Sequence, residues 1–167
     1  MRNSLRLAVV GAVAAASFAT SAQAATTATG TATAEVLSSL TVTATADLAF
    51  GQIAANTGGT VTVNANSTVA STGALISTGT RAPAAFDVVG SPNSMVVVTL
   101  PAAPVNLTRV AGTETMSLGG FNTNPNGAFQ LDAAGNGTFN VGGTLTVASG
   151  QVPGTYTGTF SVSVEYQ

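Results

Sequence analysis

The stretch Thr31–Gly51, TATAEVLSSLTVTATADLAFG, alternates apolar with small polar residues over about twenty positions. Such alternation is typical of a β-strand with one buried and one solvated face. Because strands rarely exceed about ten residues, the stretch must hold two of them. Its apolar side chains occupy even positions, interrupted only by Ser38: Ala32, Ala34, Val36, Leu40, Val42, Ala44, Ala46, Leu48 and Phe50. We therefore predict a joint at Leu37–Ser39, with an N-terminal arm, Ala25–Leu37, before it and a domain, residues 38–167, whose first strand starts at Leu40.

Residues 1–24 have the features of a secretory signal peptide. Arg2 and Arg6 form a cationic head, Leu7–Phe18 is an apolar run, and Ala22–Ala24 reads Ala-Gln-Ala, a cleavage site for signal peptidase. The apolar run is shorter than the roughly twenty residues that cross a bilayer. We expect the chain to be exported through the periplasm to the cell surface or the medium as a mature protein that starts at Ala25.

The composition excludes several classes of partner. After Ala24 the chain has only two basic residues, Arg81 and Arg109, against six acidic ones, a net charge of −4. It therefore lacks the cationic surface that binds nucleic acid or anionic lipid. It contains no cysteine, so the fold must be stable without disulfides. Charged residues make up 6% of the chain, which leaves strand edges poorly protected against pairing with other strands.

Several further segments carry β-branched or alternating patterns, and glycine-, asparagine- and proline-rich turns separate them. The predicted strands are Val61–Val63, Phe86–Val88, Met95–Leu100, Thr115–Leu118, Thr138–Val147 and Tyr156–Tyr166. The predicted turns or bulges are Asn56–Gly59, Gly90–Asn93, Asn124–Gly127, Asn136–Gly137, Gly142–Gly143 and Pro153–Gly154. No window has a helical period. These patterns predict an all-β protein, an antiparallel sandwich or barrel.

The last predicted strand, Tyr156–Tyr166, has the clearest pattern. Its apolar face carries Tyr156, Gly158, Phe160, Val162, Val164 and Tyr166, and its other face carries threonine, serine and Glu165. The sequence reaches Gln167 in the middle of this pattern. We expect a segment from elsewhere to close the sheet beside this strand, and the arm Ala25–Leu37 is the candidate.

The sequence offers no catalytic set. It lacks histidine and cysteine, and the only ionisable groups after Ala24 besides the two arginines and two tyrosines are six scattered carboxylates. The loop Asp132–Gly137 has oxygen donors but lacks the ligand spacing of a calcium loop, so a hairpin turn explains it better. We predict no enzymatic activity, no metal site and no cofactor.

Four segments together resemble a known family: Val36–Gly51, Ala85–Gly90, Val141–Leu145 and Gly154–Tyr166. Their order is similar to that of bacterial secreted proteins in the domain-of-unknown-function 4402 family. It is more distantly similar to spore coat protein U and the archaic chaperone-usher pilin subunits. Those pilins commonly carry a cysteine in the first strand, where this chain has Leu40.

The resemblance implies an incomplete immunoglobulin-like sandwich that is completed by the N-terminal arm of the next subunit. Ala32, Ala34, Val36 and Leu37 would then be the donor-strand residues. The acceptor groove would be lined by Tyr156, Phe160, Val162, Val164 and Tyr166. Such a head-to-tail contact builds a filament. A periplasmic chaperone and an outer-membrane usher are the partners that the pilin resemblance implies.

Two alternatives remain open at the level of sequence. In the first, the arm pairs within its own domain, and the protein is a monomeric coat or matrix protein that binds a partner through an exposed edge. In the second, the strands form a small outer-membrane barrel. The barrel requires aromatic girdles at both interfaces, whereas only 5% of the residues are aromatic.

Overall fold

The computed structural model describes residues 25–167. The chain divides into two units, Met1–Glu35 and Val36–Gln167, each described here by itself. The expected signal peptide lies outside the described residues. Residues 25–35 of the first unit form neither helix nor strand and are exposed throughout.

The second unit is built from antiparallel strands joined by turns, and no helix occurs in residues 25–167. The strands are Thr41–Ala46 (β1), Gln52–Ala55 (β2), Gly59–Val63 (β3), Val69–Ser71 (β4), Leu75–Thr78 (β5), Ala84–Val89 (β6), Met95–Thr99 (β7), Val105–Arg109 (β8), Thr115–Asn124 (β9), Ala128–Gln130 (β10), Asn136–Val147 (β11), Tyr156–Thr157 (β12) and Ser163–Tyr166 (β13).

The strands form an antiparallel β-sandwich, as the sequence predicts. The larger sheet has the order β1-β6-β11-β9-β8-β12, and β3 joins it by pairing with both β11 and β4. The second sheet has the order β10-β7-β13, and β2 and β5 pair as a separate hairpin-like ribbon. Strand β11 is the centre of the larger sheet: it pairs with β9 on one side, and with β6 and then β3 on the other.

Alternating apolar side chains from both sheets form the core in two clusters. One cluster is centred on Phe139, Val88, Val96 and Leu131. The other contains Val61, Val63 and Leu145 with their neighbours on β9 and β11. Phe160 packs against both clusters, with its ring centroid 5.2 Å from that of Phe121 and 6.3 Å from that of Phe86. The C-terminal segment therefore spans the two halves of the core.

The predicted C-terminal strand is interrupted. Only Tyr156–Thr157 and Ser163–Tyr166 are strands, and residues 158–162 between them belong to no strand. The physical reason is a change of sheet: β12 pairs with β8 in the larger sheet, whereas β13 pairs with β7 in the second sheet. The predicted alternation of burial nevertheless persists through this segment, except at Gly158, which is exposed.

The structure differs from the predicted turns at Asn136–Gly137, which is part of a strand, and it has a bulge at Gly142–Gly143. Asn136–Gly137 opens the long strand β11 and does not form a turn, because Asn136 already pairs with Val89 of β6. At Gly142–Gly143 the pairing between β11 and β9 shifts register, so these glycines mark a bulge within the strand. Strands β2, β4, β5, β8 and β10 were not predicted; all are short, at three to five residues.

Candidate functional site: an open seam between two strand edges

Strands β1, β12 and β13 each lack a second strand partner within residues 36–167, and the segments that contain β1 and β12 face a common seam. Strand β1 is the terminal strand of the larger sheet and pairs only with β6. Strand β13 is the terminal strand of the second sheet and pairs only with β7. Residues 158–162, which precede β13, belong to no strand. Such edges carry backbone N–H and C=O groups that are available for another strand.

Three hydrogen bonds close one end of the seam, in a cycle of Ser38, Ser91 and Tyr166. The Ser38 amide donates to the Ser91 hydroxyl over 2.6 Å, and the Ser91 amide donates to the Tyr166 hydroxyl over 2.6 Å. The Tyr166 hydroxyl in turn donates to the Ser38 carbonyl over 2.9 Å. We call this cycle the Ser38–Tyr166 latch. It ties Ser38, three residues before β1, to Tyr166, the last residue of β13.

Gly90 makes room for the latch. A Cβ atom at this position would lie 2.5 Å from the Tyr166 hydroxyl oxygen and 3.0 Å from a methyl group of Leu131. The sequence marks Gly90 as part of a turn, and the structure shows this additional reason for the absence of a side chain. A larger residue would push Tyr166 out of its hydrogen bonds.

Beyond the latch the seam opens into a narrow chamber of about 460 Å³. One wall is the start of the domain, including Ala44 and Ala46, and the other is Tyr156–Phe160. Ala44 and Ala46 continue the apolar face of β1, yet both are exposed, whereas Val42 on the same face packs against the core. The exposed alanines show that the core is uncovered along this part of the seam.

The narrow chamber continues into a wide chamber of about 870 Å³. The two share Leu48, Phe50, Leu107 and Tyr156. The further lining of the wide chamber comes from β2, β9, β11 and the segment before β12, and it mixes apolar side chains with polar ones: Ile53, Ala55, Met116, Leu145, Val147 and Val152 beside Gln52, Asn56, Thr80 and Gln151. Together the chambers form one groove, and the chamber of larger volume is lined by residues farther along the chain from Ser38.

Two residues of opposite charge lie beside the groove, on either side of the segment Leu48–Phe50 where its chambers join. Asp47 lines the narrow chamber. Arg81 adjoins the wide chamber, because it follows the lining residue Thr80 and its Cγ atom would lie 3.2 Å from a Cβ at Gly51, another lining residue. The Arg81 Nη1 donates to the carbonyl and the hydroxyl of Ser77, each at 3.3 Å. Among the described residues, no carboxylate forms an ion pair with Arg81.

The other arginine of the described chain is paired. The Nε of Arg109 donates to the Glu114 carboxylate over 2.7 Å and its Nη2 donates over 3.2 Å, across the turn that joins β8 to β9. The hydrogen bond from Arg109 lowers the pKa of Glu114 to about 2. This pair is structural: it fixes a hairpin whose Val110 amide donates to the Thr155 carbonyl, beside the wide chamber.

The predicted donor residues are all exposed. Ala32 and Ala34 belong to the first unit, and Val36 and Leu37 begin the second. Val36 has 93% of its surface accessible and Leu37 42%. An exposed valine of this kind has no role in the core of its own domain.

The predicted acceptor residues fall into three groups. Tyr156 and Phe160 line the groove. Val162 and Val164 pack against the core cluster around Phe139 and do not line either chamber. Tyr166 forms the latch. The opposite wall, residues 44–50, was not predicted as part of a groove, although its even-position alternation already marked Ala44 and Ala46 as facing inwards.

Three further observations bear on function. The Asp132 carboxylate accepts hydrogen bonds from the amides of Ala134 and Asn136, each at 2.8 Å, so it stabilises the turn before β11. No group of three or more potential metal-ligating side chains occurs among residues 25–167. In the same part of the chain, no helix is long and apolar enough to cross a membrane.

Residues 40–166 match the family model described as domain of unknown function (DUF4402), which is more than half of the chain. The chain belongs to this family. No curated protein and no solved structure matches it. The DUF4402 match starts at Leu40, shortly after the latch residue Ser38, so the arm precedes the matched region and the groove lies within it.

Proposed function

We propose that this DUF4402 protein is a secreted structural subunit of a bacterial surface fibre or pilus-like assembly. Each subunit donates its N-terminal arm to the groove of the next. The observation that carries the proposal is the open groove between β1 and residues 156–160, which is flanked by the unpartnered edges of β1 and β12, the two end strands of the larger sheet.

The groove has the two features that binding of an extended segment requires. Its walls carry backbone groups that lack a strand partner, and these can form a ladder of main-chain hydrogen bonds. Its lining includes the apolar side chains Leu48, Phe50 and Leu107, so alternate side chains of an incoming strand can be buried against them. Ala44 and Ala46 on one wall are small, so they leave space opposite the aromatic rings of Tyr156 and Phe160 on the other wall.

The arm has the matching pattern. Its even positions Ala32, Ala34 and Val36 are apolar, and in a strand they would point to one side. All three are exposed in the subunit, so burying them in another copy would remove apolar surface from water. Because donor and acceptor surfaces differ, the contact does not close on itself and continues into a filament.

Assembly of this kind involves two partner proteins and no catalysis by the subunit itself. A periplasmic chaperone that offers a strand to the same groove would keep the exposed core covered during transit, and an outer-membrane usher would order the exchange. No catalytic step is required, and the carboxylates of the described chain have structural explanations where they form contacts, at Glu114 and Asp132.

The test compares oligomer size among matched variants of the chain from Ala25 to Gln167, using size-exclusion chromatography with light scattering. We expect the parent protein to form large, detergent-resistant oligomers. Val36→Asp should remain monomeric, because an unpaired carboxylate in an apolar groove costs at least several kcal/mol. Thr33→Asp is the control: it adds the same charge at an odd position, which would face away from the groove, and should assemble.

A second arm of the experiment separates exchange between copies from completion within one copy. A variant that lacks Ala25–Leu37 should not assemble, and an added peptide of that sequence should bind it and leave it monomeric. If the parent protein is a clean monomer, and removal of the arm simply unfolds it, the arm completes its own sheet. The protein would then be a self-completed coat or matrix protein.

A further inference from the structure

We propose that the arm enters the groove in one direction, with Glu35 of one copy beside Arg81 of the next and Val36 in the wide chamber. This inference rests on the proposed function and adds the polarity, the register and a charge pair that selects them. Ala32 and Ala34 then lie in the narrow chamber. The arm runs antiparallel to residues 151–160 and parallel to residues 44–56 of the acceptor.

The first argument is size. The chamber at the Ala44 end has a volume of about 460 Å³, and the chamber at the Ile53 end has a volume of about 870 Å³. Along the arm, the apolar even positions change from alanine at 32 and 34 to valine at 36. Good packing requires that the larger side chain fill the larger space. The opposite direction would place Val36 between Ala44 and Phe160 and leave an alanine in the wide chamber.

The second argument is charge, and it does not depend on the first. Glu35 is the only charged residue of the arm Ala25–Leu37. With Val36 facing the groove floor, Glu35 points to the rim, since neighbouring strand residues face opposite sides. Arg81 lies next to the wide chamber, beside its lining residue Gly51, and has no carboxylate partner among the described residues. The narrow chamber carries Asp47, which would repel Glu35.

The opposite polarity is thus unfavourable in both respects. It would place two carboxylates, Glu35 and Asp47, near each other and leave the Arg81 guanidinium without a counter-charge. An exposed ion pair contributes little to affinity, but like charges in close contact select against a wrong register. The pair of Glu35 and Arg81 therefore selects the direction of the arm more than it adds to the affinity.

The first test is a charge swap in the chain from Ala25 to Gln167. Glu35→Arg and Arg81→Glu should each raise the critical concentration for polymerisation by about two- to tenfold, as expected for reversing an exposed pair. The double variant should recover most of the loss. Asp87→Lys, which changes an exposed residue on β6 by the same charge as Glu35→Arg, is the control and should have no effect. Equal, additive losses in the double variant would overturn the pairing.

The second test fixes the polarity by cross-linking, which the absence of native cysteine makes clean. Copies carrying Glu35→Cys are mixed with copies carrying either Thr80→Cys, at the wide chamber, or Asp47→Cys, at the narrow chamber. All three positions are exposed, so the substitutions leave the core intact. We expect an oxidised dimer with Thr80→Cys and none with Asp47→Cys, because a disulfide requires Cβ atoms about 4 Å apart.

The outcomes distinguish this inference from the proposed function. Polymers that cross-link through Asp47→Cys, or through neither position, would overturn the polarity and leave the fibre proposal intact. A parent protein that stays monomeric, together with an intramolecular cross-link in a chain carrying both Glu35→Cys and Thr80→Cys, would overturn both.

Discussion

Tyr166 acts in the fold through its hydroxyl group as well as its ring. The ring packs against the core cluster around Phe139, and the hydroxyl both accepts from the Ser91 amide and donates to the Ser38 carbonyl. Ser91 is the buried polar residue of that core region, with 8% of its surface accessible. Removing the hydroxyl therefore leaves a buried amide without its acceptor, which costs more than an exposed hydrogen bond.

We predict that Tyr166→Phe lowers the free energy of unfolding by about 1–3 kcal/mol. The measurement is urea unfolding followed by circular dichroism, carried out in a Val36→Asp background so that assembly does not contribute. Tyr156→Phe is the control, because the Tyr156 hydroxyl bonds to Val152 and Gln151 at the surface and its loss should cost less. Equal losses of unfolding free energy in the two variants would show that the latch hydrogen bonds stabilise the fold no more than the surface ones do.

At the scale of elements, the hairpin of β8 and β9 depends on the ion pair in its turn. Arg109 and Glu114 have 24% and 35% of their side-chain surfaces accessible, so solvent screens the pair and its contribution is small. Its pH dependence is nevertheless defined. The pKa of Glu114 falls from an ordinary value of 4.5 to about 2 in the folded protein. A lowered pKa stabilises the fold above the unfolded value, and the stabilisation disappears as pH falls through the folded value.

We therefore predict that Glu114→Gln lowers the melting temperature slightly above pH 4.5 and that the difference from the parent vanishes near pH 2. Arg109→Gln should give the same profile, and combining the two should cost little more than either alone, since both remove one interaction. Differential scanning calorimetry from pH 2 to pH 7 measures this. A difference that persists unchanged at pH 2 would contradict the assignment to this ion pair.

The elements also show what alternation in sequence can and cannot predict. The strands around Val61–Val63, Phe86–Val88 and Met95–Leu100 were predicted correctly because each has β-branched or aromatic residues on a buried face. The break at residues 158–162 was not, because a strand that changes sheet keeps its alternation while it loses its backbone partners. Alternation reports burial of side chains and carries no information on pairing.

The site was predicted in part for the same reason. Tyr156 and Phe160 line the groove as their pattern indicates. Val162 and Val164 have the same alternating pattern, but their side chains pack against the core cluster around Phe139 and do not line the groove. The latch and the position of Arg81 follow from contacts distant in sequence, such as the 128 residues that separate Ser38 from Tyr166. Local patterns do not specify such contacts.

At the scale of the whole molecule, the latch fixes where a donated arm leaves its own subunit. Only Leu37 lies between Ser38, held by the latch, and Val36, which the proposed register places in the wide chamber of the next copy. Two extended residues span at most about 7 Å. The latch end of one subunit would therefore abut the wide end of the next, and the joint would be stiff.

We predict that inserting Gly-Ser-Gly-Ser between Leu37 and Ser38 preserves polymerisation and makes the filaments more flexible. The insertion leaves donor and acceptor residues unchanged and lengthens only the tether, and Gly/Ser segments behave as flexible chains. Persistence lengths measured on negatively stained filaments give the readout. Replacing the exposed Ser39 by Ala keeps the tether length and the donor residues and serves as the control. Filaments of unchanged stiffness would show that lateral contacts between subunits, and not the tether, set the joint.

One of the two tyrosines lies at the closed end of the seam and the other lies within the groove, and the chain has no tryptophan. Tyr166 holds the latch, whereas Tyr156 lines both chambers of the groove. Tyrosine fluorescence of the native protein consequently comes from these two places alone. With Tyr166→Phe the remaining signal belongs to the groove, and with Tyr156→Phe it belongs to the latch. The molecule thus carries its own pair of optical reporters, through which occupation of the groove and opening of the latch can be followed in time without an attached dye.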